Sequence, residues 1–158
     1  MEEKVEIVIS KVNTKLMINS MLLGAMVSMF FLVASLQPEI FKENYLLSIQ
    51  MVLAIPFFVT ACISSTYMGK KINKKLWYNF GWFTFIVGYA FTLNSIGIII
   101  STITSIWIGV IFFASSITLS LSYTLFLVIL EDKNPRERIV KDIFFIILLF
   151  GFGVIAIL

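Results

Sequence analysis

The chain has 158 residues, of which 59% are hydrophobic and 13% are charged, and its mean hydropathy is +1.01. A soluble globular domain carries about a quarter charged residues, and a domain of this size in water has no core large enough to bury so much apolar surface. The composition excludes an ordinary water-soluble domain and predicts an all-α, polytopic integral membrane helical bundle. Histidine is absent from the sequence, which removes the commonest metal ligand and the commonest general base.

The first 15 residues mix charges with apolar side chains at helical spacing. Val5, Val8, Ile9 and Val12 fall on one stripe of a helix. We predict that residues 1–15 form an amphipathic helix at the inner membrane interface, which continues into the first crossing. Docking of a partner is the alternative role for this segment.

Long apolar runs separated by short polar segments occupy the rest of the chain. We predict about five crossings in one membrane domain that covers residues 1–158, at about 16–36, 45–68, 77–100, 106–130 and 143–158. The first run is too long for a signal peptide and follows several acids, so we expect a retained helix. The last run spans about 24 Å as a helix, against a hydrocarbon core of about 30 Å, which leaves open whether it crosses completely.

The basic residues are distributed unevenly between the two sides of these runs. Every Lys and Arg except Lys42 lies before the first run, between the second and third, or between the fourth and fifth. Because basic loops resist translocation, this predicts a cytoplasmic amino terminus and, after five crossings, an outside carboxyl terminus. We expect the protein in a cell membrane, the inner or plasma membrane of a prokaryote.

None of the acids or bases lies within the five predicted crossings. A charge at mid-bilayer costs about 2.5–3.5 kcal/mol on insertion scales, so charges found there are usually functional. Their absence argues against a proton relay, a voltage sensor, a haem protein and a carboxylate-based cation pump. We therefore expect no enzymatic activity, no cofactor, no metal ion and no nucleic acid partner.

Small residues recur at helical spacing in the first and third crossings. They predict helix-packing seams at Ser20, Gly24, Ser28, Gly81 and Gly88. In the second crossing Pro56 is a candidate kink, because proline frees the carbonyl group of Val52.

Hydroxyl side chains concentrate in the middle and inner half of the fourth crossing, and others lie at similar depth in the second. We predict that they line a cavity open toward the cytoplasm, formed by Ser115, Ser116, Thr118, Ser120, Ser122, Thr124, Thr60 and Ser64. The alternative is that each hydroxyl bonds a carbonyl of its own helix, one turn back, without a function.

Gln50 and Asn94 are a candidate polar pair near the outer side of the membrane. They lie at comparable depth on the second and third crossings. If the two side chains face each other, a direct amide hydrogen bond is expected, which would serve mainly for packing.

Two functions from different classes follow from these features. The first is a non-catalytic packing or assembly subunit, whose partners are the lipid bilayer and either further copies of itself or other membrane subunits. The second is a small channel or transporter for a neutral solute or ion, which would use the hydroxyl-lined cavity. The first is favoured slightly, because a bundle of about five helices without a charged site is small for a complete transporter. A membrane enzyme acting on lipid is less favoured, since the loops are short and offer no pair of base and nucleophile.

Overall fold

The structure is a computed structural model that describes residues 2–69, 74–131 and 135–157. Throughout these ranges the chain is almost entirely helical and contains no strand. The loop lysines Lys70 and Lys71, and the segment 132–134 with Lys133, lie outside the described residues. Their predicted cytoplasmic location stays a prediction.

Four long helices and one composite helix make up the described chain. They are α1 (Glu2–Leu36), α3 (Tyr45–Gly69), α4 (Lys74–Ile103), α5 (Ile106–Glu131) and a last helix built from α6 (Pro135–Leu149), a π-helical turn (Phe150–Val154) and α7 (Ile155–Ile157). A short helix, α2 (Glu39–Glu43), lies between α1 and α3.

The described residues include five segments that are long and apolar enough to cross a membrane. These are Val12–Leu36, Tyr45–Met68, Lys75–Ile103, Ile106–Phe126 and Arg138–Ile157. The prediction of an all-α fold with five membrane-spanning helices is confirmed. The fold fits a multi-pass membrane protein.

The last helix begins earlier than the apolar run that predicted it. Residues 135–142, expected in a loop, form the first turns of α6. Proline is favourable at the first position of a helix, where its missing N–H needs no partner. The charges of Arg138 and Lys141 do not oppose this, because long basic side chains can reach the interface from the end of a membrane helix. The span Arg138–Ile157 has 20 residues, about 30 Å, which matches the hydrocarbon core.

Local sequence explains where the first helices begin and end. Residues 2–36 form one uninterrupted helix, so the predicted interfacial segment continues into the first crossing without a break. It ends before Pro38, which disfavours helical geometry in the residue that precedes it. Asn44 caps α3, since its Oδ1 accepts a hydrogen bond from the backbone N–H of Leu47 at 3.0 Å. Helix α3 continues on both sides of Pro56, and the bend there stays a prediction.

The contacts of the chain divide it into two compact units. Unit 1 comprises Met1–Glu39 and Met51–Tyr89, and unit 2 comprises Ile40–Gln50 and Ala90–Leu158. Each unit has its own buried apolar side chains, such as Phe58 in unit 1 and Phe113 in unit 2.

Aromatic side chains of unit 1 gather at the end predicted to face the cytoplasm. Trp77 stacks on Tyr67 with ring centroids 4.6 Å apart. The Nζ atom of Lys15 lies 4.9 Å from the ring centroid of Tyr78, which is a cation–π contact. Amphipathic rings of this kind are typical of a membrane–water interface.

Candidate functional site

The most irregular backbone of unit 2 is the π-helical turn Phe150–Val154. The N–H group of Ile155 bonds the carbonyl of Phe150, five residues earlier. A turn of this kind interrupts the regular spacing of helical hydrogen bonds, so neighbouring carbonyl groups need other donors. Within a membrane no water supplies them, and side chains of neighbouring helices must do so.

Two buried amides provide these donors. Gln50 Nε2 donates to the carbonyl of Phe152 at 2.9 Å, and Asn94 Nδ2 donates to the carbonyl of Leu148 at 3.2 Å. Leu148 and Phe152 are four residues apart, so the two carbonyls lie on one face of the last helix, about one turn from each other. Gln50 is 1% exposed and Asn94 is fully buried. Both amides therefore contact the last helix, and each bonds a different carbonyl.

The oxygen atoms of the same two amides have no donor. Gln50 Oε1 and Asn94 Oδ1 are buried and accept no hydrogen bond from any residue that the structure describes. A direct bond between the two amides is therefore not formed. The backbone carbonyl that each amide bonds determines how the amide is oriented, because a carbonyl oxygen accepts from the NH₂ group and repels the amide oxygen.

The ring of Phe113 fills the space between α4 and the π turn. A β carbon at Gly97 would lie 2.5 Å from the ring of Phe113, and one at Gly153 would lie 2.6 Å from the same ring. At Gly153 it would also collide with Asn94 Oδ1. The absence of a side chain at Gly153 therefore admits both the ring and the amide oxygen to the backbone of the π turn.

Unit 1 holds a second group of polar side chains. Asn19 Nδ2 donates to Ser65 Oγ at 3.3 Å, and Ser65 Oγ donates to the carbonyl of Ala61 at 3.0 Å. The hydroxyl of Ser64 is buried and has no partner among the described residues. These contacts join α1 to α3 by a hydrogen bond between side chains.

Some of the hydroxyls predicted to line a cavity form hydrogen bonds within their own helices. Three of them donate to a carbonyl four residues earlier: Thr60 to Pro56 at 2.7 Å, Ser116 to Phe112 at 2.9 Å and Thr118 to Ala114 at 2.8 Å. On α5 the exposed members are Ser115, Thr118 and Ser122, and the half-buried members are Ser116, Ser120 and Thr124. The cavity itself stays a prediction.

The two small-residue seams of unit 1 differ in what covers them. On α4, a β carbon at Gly81 would lie 3.0 Å from Ser64 Cβ, and one at Gly88 would lie 3.3 Å from Phe57 Cβ. Side chains of α3 therefore fill the α4 seam. On α1, a β carbon at Gly24 would meet nothing within 4 Å, and Ser20 and Ser28 are exposed. Ser20 Oγ lies 3.7 Å from Cys62 Sγ of α3, at hydrogen-bond distance. The α1 seam is therefore open at Gly24 and Ser28.

Gln50, Asn94 and the carbonyls of Leu148 and Phe152 form what we call the amide site, and the sequence does not predict its backbone part. The two carbonyls carry no side-chain signal, and Gly153 is not among the predicted site residues. One signal was available: Gly151 and Gly153 lie within a single turn of an apolar helix. Each glycine in a helix interior costs about 1 kcal/mol relative to alanine, so two together indicate an irregular backbone.

In the part of the chain that the structure describes, no three His, Cys, Asp or Glu side chains lie close enough together to hold a metal ion. The polar atoms of the amide site are thus neutral amide and carbonyl groups. Comparisons of the chain with protein-family models, curated proteins and solved structures find no match.

Proposed function

We propose that the chain is a non-catalytic multi-pass membrane subunit that assembles with further copies of itself through the seam Ser20, Gly24 and Ser28 of α1. The observation that carries the proposal is the open space at Gly24, where a β carbon would meet no atom within 4 Å. The matching seam of α4 is already filled by α3.

In lipid there is no hydrophobic driving force for helices to associate. Association then depends on close backbone approach and on interhelical hydrogen bonds, both of which a small-residue seam provides. Within the apolar 18-residue window of each span, only 17% of the first is buried within the chain, against 56% of the third. Because α1 has so little cover of its own, its seam at Gly24 and Ser28 is open to a second α1. The Ser28 hydroxyl both donates and accepts, so the Ser28 hydroxyls of two copies can bond each other.

The test is the mass of the full chain in lipid nanodiscs, measured for the parent and for Gly24→Leu. We expect an oligomer for the parent and a shift toward monomer for the variant, because the leucine keeps the two backbones apart. Ala25→Leu is the matched control, since Ala25 is also exposed on α1 but points about 100° away. A monomeric parent would refute the proposal, and so would an oligomer that Gly24→Leu leaves intact.

Cross-linking provides a second readout of the same interface. Ser28→Cys on a Cys62→Ala background is expected to form a disulfide between copies under oxidation in the membrane. Cys62 is the single cysteine of the chain, so the background has no other thiol. Ile18→Cys, also exposed on α1 but about 120° around the helix from Gly24, is expected to cross-link much less.

A second candidate function is permeation of a neutral solute or ion. It is supported by the exposed hydroxyl residues of α5, Ser115, Thr118 and Ser122. Only 11% of the apolar 18-residue window of this span is buried within the chain. Hydroxyls can replace part of the hydration of a small ion. Cysteine accessibility along residues 115–124 tests it: a pathway predicts labelling by aqueous thiol reagents on one helical face. Uniform protection would contradict it.

A further inference from the structure

We propose that Gln50, Asn94 and the π turn Phe150–Val154 form a binding site for a small monovalent cation, Na⁺ or K⁺. The site lies wholly in unit 2 and does not depend on the proposed assembly through α1. It rests on two buried oxygen atoms that have no donor, held beside a backbone whose hydrogen bonding is irregular.

The site contains two buried amide oxygens that accept no hydrogen bond from the described residues. Gln50 Oε1 and Asn94 Oδ1 are both buried without a hydrogen-bond partner among the described residues. Both are acceptors, and each amide donates one of its two N–H groups, Gln50 to the carbonyl of Phe152 and Asn94 to the carbonyl of Leu148. The site therefore offers two unsatisfied acceptor oxygens beside two backbone carbonyls.

Amide and carbonyl oxygens determine which class of ligand the site can bind. Carbonyl and amide oxygens are ligands for hard cations, and unwound backbone carbonyls coordinate Na⁺ in membrane helices. The described side chains at the site carry no charge to compensate a divalent ion, whereas dipoles alone can replace the hydration shell of a monovalent one. Water is the competing occupant, because it can donate to both oxygens and accept from the second N–H of each amide, and the experiment below distinguishes it from a cation.

Close packing holds one of the two oxygens against the π turn. Glycine at position 153 lets Asn94 Oδ1 approach the backbone of the π turn, and a β carbon there would collide with this oxygen and with the Phe113 ring. A methyl group at position 153 would therefore push the amide oxygen away from the π turn. This makes Gly153→Ala a variant that retains both amides and still disturbs the site.

The experiment is thermal unfolding of the full chain in lipid nanodiscs, titrated with NaCl or KCl and kept at constant ionic strength with N-methyl-D-glucamine chloride. We expect the unfolding temperature to rise and saturate with Na⁺ or K⁺, since a ligand that binds only the folded state stabilises it. Asn94→Leu and Gly153→Ala are expected to raise the half-saturating concentration by about tenfold or more, because even second-shell changes at metal sites typically cost 10–100-fold in affinity.

Ser95→Ala is the matched control. Ser95 is buried on the same helix, but its hydroxyl donates to its own helix at the carbonyl of Phe91, at 2.8 Å. This variant is expected to keep the cation response of the parent chain. Binding of radioactive Na⁺ to the parent, competed by unlabelled Na⁺, gives a readout that needs no variant to fold.

Two results would overturn the proposal. One is a parent chain whose unfolding temperature ignores both cations and which binds no radioactive Na⁺; the two oxygens would then be satisfied by water. The other is a cation response that Asn94→Leu and Gly153→Ala retain unchanged, since the ion would then bind elsewhere.

Discussion

The side-chain amide of Gln50 donates a hydrogen bond to the backbone carbonyl of Phe152, at 2.9 Å, across 102 positions of the chain. This bond ties the start of α3 to the π turn of the last helix, within unit 2. It supplies a donor to a carbonyl at a point where the helix is irregular. The amide therefore has a structural role that is independent of any ligand.

Replacing Gln50 by leucine is expected to lower the free energy of unfolding by about 1–3 kcal/mol, because the carbonyl of Phe152 loses its donor. The measurement is reversible unfolding in mixed micelles, followed by tryptophan fluorescence. Ile49→Leu, at a neighbouring exposed position, should change the stability by less than about 0.5 kcal/mol. Equal effects of the two substitutions would show that the bond contributes nothing.

Alanine at Gly97 is expected to destabilise the fold by about 1–3 kcal/mol through overpacking. Its β carbon would lie 2.5 Å from the Phe113 ring, and this outweighs the gain of about 0.5–1 kcal/mol from replacing glycine in a helix. Gly151→Ala enters open space and should be neutral or slightly stabilising. Phe113→Leu in the Gly97→Ala background should recover part of the loss. Equal stability of the Gly97→Ala and Gly151→Ala variants would contradict this packing.

The bond between Asn19 and Ser65 should appear as a coupling in a double-mutant cycle. For Asn19→Ala and Ser65→Ala we expect an interaction energy of about 0.6 kcal/mol, the average for side-chain hydrogen bonds between membrane helices. The cycle of Asn19→Ala with Thr84→Ala is the control, because Thr84 bonds the carbonyl of Phe80 on its own helix. Coupling in that control as large as in the first cycle would mean that the effect is not local.

Hydropathy and length predicted the membrane-spanning helices well, because both depend on composition averaged over about 20 residues. They could not locate the start of α6 at Pro135, since charged residues at the end of a membrane helix resemble a loop in composition. The π turn was also beyond prediction, because it depends on a shift of one residue in hydrogen bonding. Only the pair Gly151 and Gly153 hinted at it.

The amide site was likewise only partly predictable from the sequence. Equal depth along two helices suggested that Gln50 and Asn94 would meet, and both do lie against one face of the last helix. The depth of a residue in the membrane does not determine the direction in which its side chain points around the helix axis. The hydrogen-bond partners of the two amides could therefore not be predicted. The open seam at Gly24 and the filled seam at Gly88 were likewise indistinguishable in sequence, since both are small residues at helical spacing.

We predict that these helices cross a membrane with the α3–α4 connection on the cytoplasmic side. Labelling with a membrane-impermeant thiol reagent tests it, on a Cys62→Ala background in intact cells, with single cysteines introduced at Lys75 and at Thr104. We predict that Thr104→Cys is labelled from outside and that Lys75→Cys reacts only after the membrane is permeabilised. Equal labelling of the two positions in intact cells, or labelling of Lys75→Cys alone, would contradict the account.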